Sequence, residues 1–139
     1  MTLTLDNIKE PIEFNPVELK TIESNLNKLN GKTISFAILT DTTTNSYIQC
    51  AGNKTKLTVE LRHYNKNTFK HYVLGKKVNK KNVAWTQIHC KVGPINLQLN
   101  EVLTLKDAEE LFANFLEGKS FSKKFMKRNI TKIFFEKKK

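Results

Sequence analysis

Three histidines and two cysteines are the side chains with the most obvious chemical potential: His63, His71, His89, Cys50 and Cys90. All of them fall in segments with the alternating pattern of β-strands, so a fold could bring them together as a metal site. Their spacing argues against one, because the sequence has no Cys-x-x-Cys pair, no ligand pair one helical turn apart and no His-Glu-x-x-His motif. His89 and Cys90 are neighbours on one predicted strand and therefore point to opposite faces. We expect no metal ion and no other cofactor.

Enzymatic catalysis also lacks support in the residue types and their spacing. A nucleophilic cysteine needs a lowered pKa, often from a helix N-terminus or a fixed base, whereas Cys50 and Cys90 both lie in strand patterns. Glu109 and Glu110 face different sides of a predicted helix, and Glu101 stands alone, so no carboxylate pair is placed for acid–base work. The five glycines are scattered and match neither glycine-rich nucleotide fingerprint. The sequence therefore predicts a protein that is not an enzyme.

The elements that must position these residues are expected to form a single α+β domain over residues 1–139. A chain of this length is the size of one domain. Residues 1–14 are expected to form an extended lead-in with room for one short strand, and residues 136–139 a loose basic tail. No apolar run approaches the ~18 residues of a membrane span, and the N-terminus lacks the basic start and apolar core of a secretion signal. With only two cysteines, the chain fits a reducing cytoplasm, which is the location we predict.

Two helices are predicted, one near each end of the chain. The first is capped by Asn15 and ends at Gly31. The second follows Thr104, which forms a capping box with Asp107, and it ends at Gly118. The apolar stripe that would place the first helix against a sheet consists of Leu19, Ile22, Leu26 and Leu29.

Between the helices, apolar residues recur with the period of two that is typical of strands. The connections are too short for the crossovers that parallel neighbours need, so we expect an antiparallel meander sheet of about six strands packed by the N-terminal and C-terminal helices. The tail 119–135 retains too many large apolar residues for a disordered segment and is expected to pack at least partly on the sheet. The predicted strands are 34–39, 46–51, 57–62, 69–74, 83–92 and 95–99.

The net charge of +11 is concentrated in two segments. Residues 54–81 and residues 119–139 each hold nine basic residues and one acidic residue, whereas the rest of the chain is weakly acidic. Such segments attract an acidic protein surface or a phosphate backbone. A solubilising lysine surface is the simpler interpretation, because only Arg62 and Arg128 among the 24 basic residues are arginine, and specific recognition of phosphate relies more on arginine.

The stretch from Arg62 to Tyr72 mixes basic and aromatic residues, as proteins do where they hold single-stranded nucleic acid. The signatures of the known recognition modules are missing, and cross-strand packing explains the same aromatics. Trp85 is expected to be a core anchor or a rim residue rather than a plate for a cofactor. A small basic binding module for nucleic acid or another anionic ligand is therefore the alternative function.

Four segments together resemble a known family. They contain a Tyr-hydrophobic-Gln-x-Ala-Gly strand, a Thr-Val-Glu strand, the sequence His-Tyr-Val-Leu-Gly, and a helix entry of the form Asn-Glu-Val-hydrophobic-Thr-x-x-x-Ala. In this order they resemble the Imm-type α+β immunity proteins of bacterial polymorphic toxin systems, and the resemblance covers about residues 33–135. The segments are 46–52, 57–62, 71–75 and 100–112.

The resemblance implies a function without catalysis, in which the protein binds and neutralises a cognate bacterial toxin. Charge complementarity then predicts an acidic surface on the toxin, and the charge of +11 argues against a nuclease blocked at its phosphate site. Nucleic acid is the less favoured partner, and no membrane partner is expected. The family implies no catalytic residues. The residues that we expect to contact the partner are Arg62, Tyr64, His71, Tyr72, Lys76, Lys77 and Trp85.

Overall fold

A seven-stranded antiparallel sheet organises the chain, and helices pack on one of its faces. The structure, a computed structural model, describes residues 1–7, 9–79 and 82–135, so the tail predicted for 136–139 lies outside the described residues. The helices are α1 (Leu19–Leu26) and α2 (Leu105–Glu117), which confirms the expected α+β class. Across the sheet the strands run in the order β2 (Ile12–Phe14), β1 (Thr2–Leu5), β3 (Phe36–Thr40), β4 (Tyr47–Gly52), β5 (Leu57–Asn65), β6 (Thr68–Lys76) and β9 (Phe125–Asn129). A separate hairpin pairs β7 (Trp85–Cys90) with β8 (Gly93–Gln98).

The prediction of about six strands in one meander needs correction. The strands predicted at 83–92 and 95–99 leave the main sheet and form the β7–β8 hairpin, because β9 occupies the edge of β6 that a meander would offer to β7. The predicted lead-in, 1–14, instead forms the paired strands β1 and β2. The tail packs on the sheet through β9, which confirms the expectation for 119–135.

The first helix is shorter than its sequence signals predict. Glu18, rather than Asn15, is the residue before the first turn, and the helix ends at Leu26 instead of near Gly31. Asn15 makes a different contact, because its side-chain amide donates a hydrogen bond to the hydroxyl of Thr2 at 3.3 Å. The predicted apolar stripe is buried except at its first position: Ile22, Leu26 and Leu29 are in the core and Leu19 is exposed.

The second helix begins and ends as predicted. The Thr104 hydroxyl accepts a hydrogen bond from the Asp107 N–H, and the Asp107 carboxylate accepts one from the Thr104 N–H. Burial acts to raise the pKa of Asp107, but the hydrogen bonds from Lys76 and Thr104 outweigh it and leave that pKa below its usual value. Gly118 ends the helix in the left-handed conformation with φ +68°. Neither helix in the described part of the chain has the length and apolar character needed to cross a membrane.

The two faces of the sheet carry different cores. The main core lies between the sheet and both helices, where residues such as Val59, Leu74 and Phe112 are fully buried. A smaller cluster lies on the opposite face, where Val73 of β6 packs against Ile88 and Leu97 of the β7–β8 hairpin. The hairpin therefore packs on the face opposite the helices.

Candidate functional site

Charged and aromatic side chains gather around Arg62 on the face opposite the helices. Arg62 in β5 stands directly between Tyr47 in β4 and His71 in β6, and residues opposed in this way share one face of an antiparallel sheet. The guanidinium carbon of Arg62 lies 3.9 Å from the ring centre of Phe69 and 5.5 Å from that of Tyr47. Both distances fit cation–π contacts, so aromatic rings hold the guanidinium in place.

His71 is held at both ring nitrogens and is only 2% exposed. Its Nε2 lies 2.6 Å from Oε1 of Glu60, and its Nδ1 accepts a hydrogen bond from Nε–H of Arg62 at 3.1 Å. An Nδ1 that accepts this bond has no proton, so the arrangement selects the neutral tautomer that donates from Nε2 to the carboxylate. Because both nitrogens are engaged within the protein, the network positions Arg62 and offers no free base to a substrate.

The C-terminal aromatics complete this surface. The 3-10 helix Thr131–Phe134 is tied to β6, because the backbone N–H of His71 donates to the Thr131 hydroxyl at 2.9 Å. Phe134 then lies over the imidazole with 4.6 Å between ring centres, and Phe135 stacks on Phe69 at 5.2 Å. Phe134 and Phe135 are nevertheless 44% and 63% exposed. The resulting arginine–aromatic surface consists of Tyr47, Arg62, Tyr64, Phe69, Phe134 and Phe135.

The second arginine lies on the same face and is fixed by a carboxylate. Arg128 in β9 donates two hydrogen bonds to Glu101, at 2.7 and 2.8 Å. The hydrogen bond to Glu101 raises the pKa of the Arg128 guanidinium above its usual value. The guanidinium carbon is 5.1 Å from the ring of Trp85, which is 60% exposed. Trp85 is therefore a surface residue and not a core anchor.

The seven predicted contact residues do not form one surface. Arg62, Tyr64 and His71 belong to the cluster described above, and Trp85 lies on the same face. Tyr72 lies on the helix face of the sheet, where the Lys127 ammonium is 4.6 Å from its ring centre. The Lys76 ammonium is paired with Asp107 at 2.8 Å, and Lys77 is exposed just past the end of β6. Tyr72 and Lys76 therefore lie away from Arg62, because side chains alternate between faces along β6, and Lys77 lies beyond the end of that strand.

Several residues of the cluster were not predicted from the sequence: Tyr47, Glu60, Phe69, Phe134 and Phe135. Glu60 and Arg62 are two residues apart on one strand, and that spacing is the signal for a shared face. The aromatic pair in the basic tail was recognised as packed, but its contact with Arg62 depends on β9 returning along β6. Only the three-dimensional fold shows that contact.

The remaining chemically interesting side chains lie apart. Cys50 is buried among apolar residues on the helix face, where burial raises the pKa of its thiol to about 12. His71 points to the other face, so the two cannot form a Cys–His pair. His63 and His89 are exposed on different strands, and no three His, Cys, Asp or Glu residues in the described ranges are grouped to hold a metal ion.

Comparison with protein-family models, with curated proteins and with solved structures gives no match. The function must therefore be argued from the residues and contacts of the chain itself.

Proposed function

We propose that the protein is an immunity protein of a bacterial polymorphic toxin system, which acts in the cytoplasm by binding and neutralising its cognate toxin without catalysis. The observation that supports this best is the arginine–aromatic surface. Arginine and tyrosine are among the types most enriched in the residues that dominate binding energy at protein interfaces, and phenylalanine is enriched at the centre of such interfaces. Here they are contiguous, with Arg62 at the centre; Phe134 and Phe135 are exposed and the other members are half-buried.

The rigidity of this surface is a second argument for binding. Ordering a long flexible side chain at an interface costs about 0.5–1.5 kcal/mol, and a side chain that is already fixed avoids that loss. Arg62 is fixed before any partner arrives, by the imidazole of His71 and by the rings of Phe69 and Phe134. A rigid surface of this kind suits tight binding to one partner of complementary shape.

Charge indicates the character of the partner. The formal charge of +11 favours a toxin whose contacting surface is acidic, and complementary charge speeds the encounter of the two proteins. The sequence segments that resemble the Imm-type families favour the same assignment; they lie in β4, β5, β6 and the entry to α2.

Growth protection tests the proposal directly. We expect a toxin-like reading frame next to this gene, and its toxin domain is expressed in a bacterial host with and without this protein. We expect growth only when both are present, and a complex of the two that survives purification. The absence of a toxin-like neighbour, or a toxin that still stops growth in the presence of the folded protein, would contradict the proposal.

Variants connect the protection to the surface. Phe135→Ala removes an exposed ring outside the Glu60–His71–Arg62 network, so it should leave stability unchanged and weaken the complex by about tenfold or more. Arg62→Ala should weaken it further, by about thirtyfold or more, with circular dichroism confirming that the variant is folded. Lys20→Ala, on the exposed side of α1, is the charge-matched control and should bind normally.

Salt separates this function from the alternative one. A module that binds nucleic acid should hold single-stranded or duplex oligonucleotides and lose most of that affinity between about 50 and 200 mM salt. If oligonucleotides bind tightly in this manner and the neighbouring toxin does not bind, the alternative function replaces the one proposed here.

A further inference from the structure

The two edges of the main sheet are built differently. The edge strand β2 has only three residues, and Pro11 and Pro16 flank it, so it offers little backbone for pairing. The other edge strand, β9, has five residues and contains no proline. An edge strand without proline keeps all its backbone N–H groups and can pair with another strand.

The hydrogen-bond pattern shows which backbone groups of β9 face outward. The N–H of Ile130 donates to the carbonyl of His71, and the N–H of Lys77 donates to the carbonyl of Lys124. In an antiparallel ladder such pairs recur at every second residue, so positions 124, 126, 128 and 130 face β6. The backbone N–H and C=O groups of Lys127 and Asn129 must therefore point away from the sheet, and no described residue hydrogen-bonds to the N–H of Lys127.

The charge on this edge decides what can pair with it. Residues 119–135 contain six basic residues and no acidic residue. A second copy of β9 would set these like charges against one another, which disfavours self-pairing. Within the described chain Lys123 and Lys132 make no ion pair, so both are available to an acidic partner.

Both sides of an added strand would meet suitable surfaces. On the helix side, a cleft of about 900 Å³ opens beside β9, and Phe121, Lys123 and Lys127 are among its lining residues. On the opposite side lie Arg128 and Met126, which is 39% exposed. Side chains of a strand alternate between its two faces, so an extended segment that mixes acidic and apolar residues would find contacts on both.

We infer that the free edge of β9 binds an extended acidic segment of the partner protein by strand addition. The backbone groups of Lys127 and Asn129 supply the hydrogen bonds, and the surrounding lysines select acidic side chains. The identification of that partner with the toxin rests on the proposed function, whereas the edge site itself does not.

Proline substitution tests the edge without disturbing the sheet. Lys127→Pro deletes an N–H that faces outward, so the β6–β9 ladder keeps its own hydrogen bonds. Lys127→Ala is the matched control, because it removes the same side chain and keeps the N–H. The probe is a fluorescein-labelled peptide that alternates Glu with Val or Thr, and the corresponding Lys peptide is its control.

Binding is followed by fluorescence anisotropy, and amide exchange by NMR. We expect the acidic peptide to bind, to slow exchange at the amides of Lys127 and Asn129, and to bind Lys127→Pro about tenfold more weakly than Lys127→Ala, since a backbone hydrogen bond is lost and a carbonyl is left unpaired. Equal binding to the two variants, equal binding of the Lys peptide, or a dimer of this chain that Lys127→Pro dissociates would overturn the inference. Tight binding of an oligonucleotide that is identical in both variants, without peptide binding, would also overturn it.

The same variants separate this inference from the proposed function in the growth assay. If Lys127→Pro and Lys127→Ala protect against the toxin equally well, the β9 edge is not part of the toxin interface. The proposed function is then unaffected. If the acidic peptide binds and slows amide exchange but the protein does not neutralise the toxin, the edge site is supported and the proposed function is refuted.

Discussion

Replacement of Arg128 by methionine should destabilise the fold strongly, because it leaves a buried carboxylate without its counter-ion. Glu101 is 2% exposed, and it accepts hydrogen bonds from Arg128 at 2.7 and 2.8 Å and from the N–H of Gln98 at 2.9 Å. Removing one member of a buried ion pair costs about 3–5 kcal/mol. The Arg128 side chain is itself partly exposed, so we expect the lower end of this range, about 3 kcal/mol off the free energy of unfolding.

A double variant provides the control. When Glu101 and Arg128 are both replaced by methionine, no charge is left buried, and such replacements are often close to neutral. The Gln98 N–H then loses its acceptor, which costs about 1 kcal/mol. The double variant should therefore be about 2 kcal/mol more stable than Arg128→Met alone.

Urea unfolding followed by tryptophan fluorescence measures both values. Trp85 is the single tryptophan of the chain, and its ring lies 5.1 Å from the Arg128 guanidinium, so its emission also reports the local change. Far-UV circular dichroism checks that the transition is global. A loss below about 1 kcal/mol for Arg128→Met, the range of exposed pairs, would refute the placement of this ion pair. A double variant no more stable than Arg128→Met would refute the argument about the unpaired charge.

Three further substitutions or reactions test other parts of the fold. Burial raises the pKa of the Cys50 thiol to about 12, so iodoacetamide at about pH 8 should label Cys50 only after unfolding, and mass spectrometry showing the label on the folded protein would contradict this. The pKa of Asp107 is lowered in the folded protein, so the stabilisation from its carboxylate is present above about pH 4 and is lost as the pH falls through the folded pKa. The free energies of unfolding of wild type and Asp107→Asn, measured in urea, should therefore differ by about 1 kcal/mol at neutral pH and converge in acid. Gly52 has φ +123°, and an added Cβ would lie 2.5 Å from the carbonyl oxygen of Lys56. Gly52→Ala should therefore lower the free energy of unfolding by about 2–3 kcal/mol, as measured by thermal unfolding. Gly118→Ala should lower it by only about 1 kcal/mol, because an added Cβ there meets open space.

Local signals predicted the elements well where those signals were complete. The second helix has a capping box at Thr104 and a left-handed glycine at Gly118, and both its ends were correct. The first helix has a good capping residue in Asn15, but the side chain of Asn15 bonds to Thr2, which is distant in sequence. A tertiary contact of this kind cannot be predicted from the local sequence around Asn15.

The assignment of strands to sheets could not be predicted in the same way. The alternation in β7 and β8 reflects the packing of Ile88 and Leu97 on Val73, and the period is the same whether a strand joins the main sheet or lies across it. The position of β9 decides which sheet β7 and β8 join, because β9 follows α2 and occupies the edge of β6.

The site was partly predictable for a related reason. Arg62 and His71 stood out because they are basic or titratable residues in strands next to aromatic residues. Glu60 did not, because an acidic residue in a basic segment contributes nothing to the attraction of an acidic partner. Its role is to hold the imidazole that in turn holds Arg62, and that role depends on the register between β5 and β6.

Arginine and lysine have different structural roles in this protein. The two arginines lie on one face of the sheet, each hydrogen-bonded to a buried or half-buried residue and stacked on an aromatic ring. The 22 lysines make up the rest of the basic residues and so supply most of the positive electrostatic field. Such a field accelerates the encounter with an acidic molecule and is weakened by salt. On the proposed function, short-range complementarity comes from the fixed planar guanidinium groups, whose contacts with the partner set how long the complex lasts. A single exposed lysine therefore suits a control, whereas Arg62 is the position where one substitution should decide whether the complex forms.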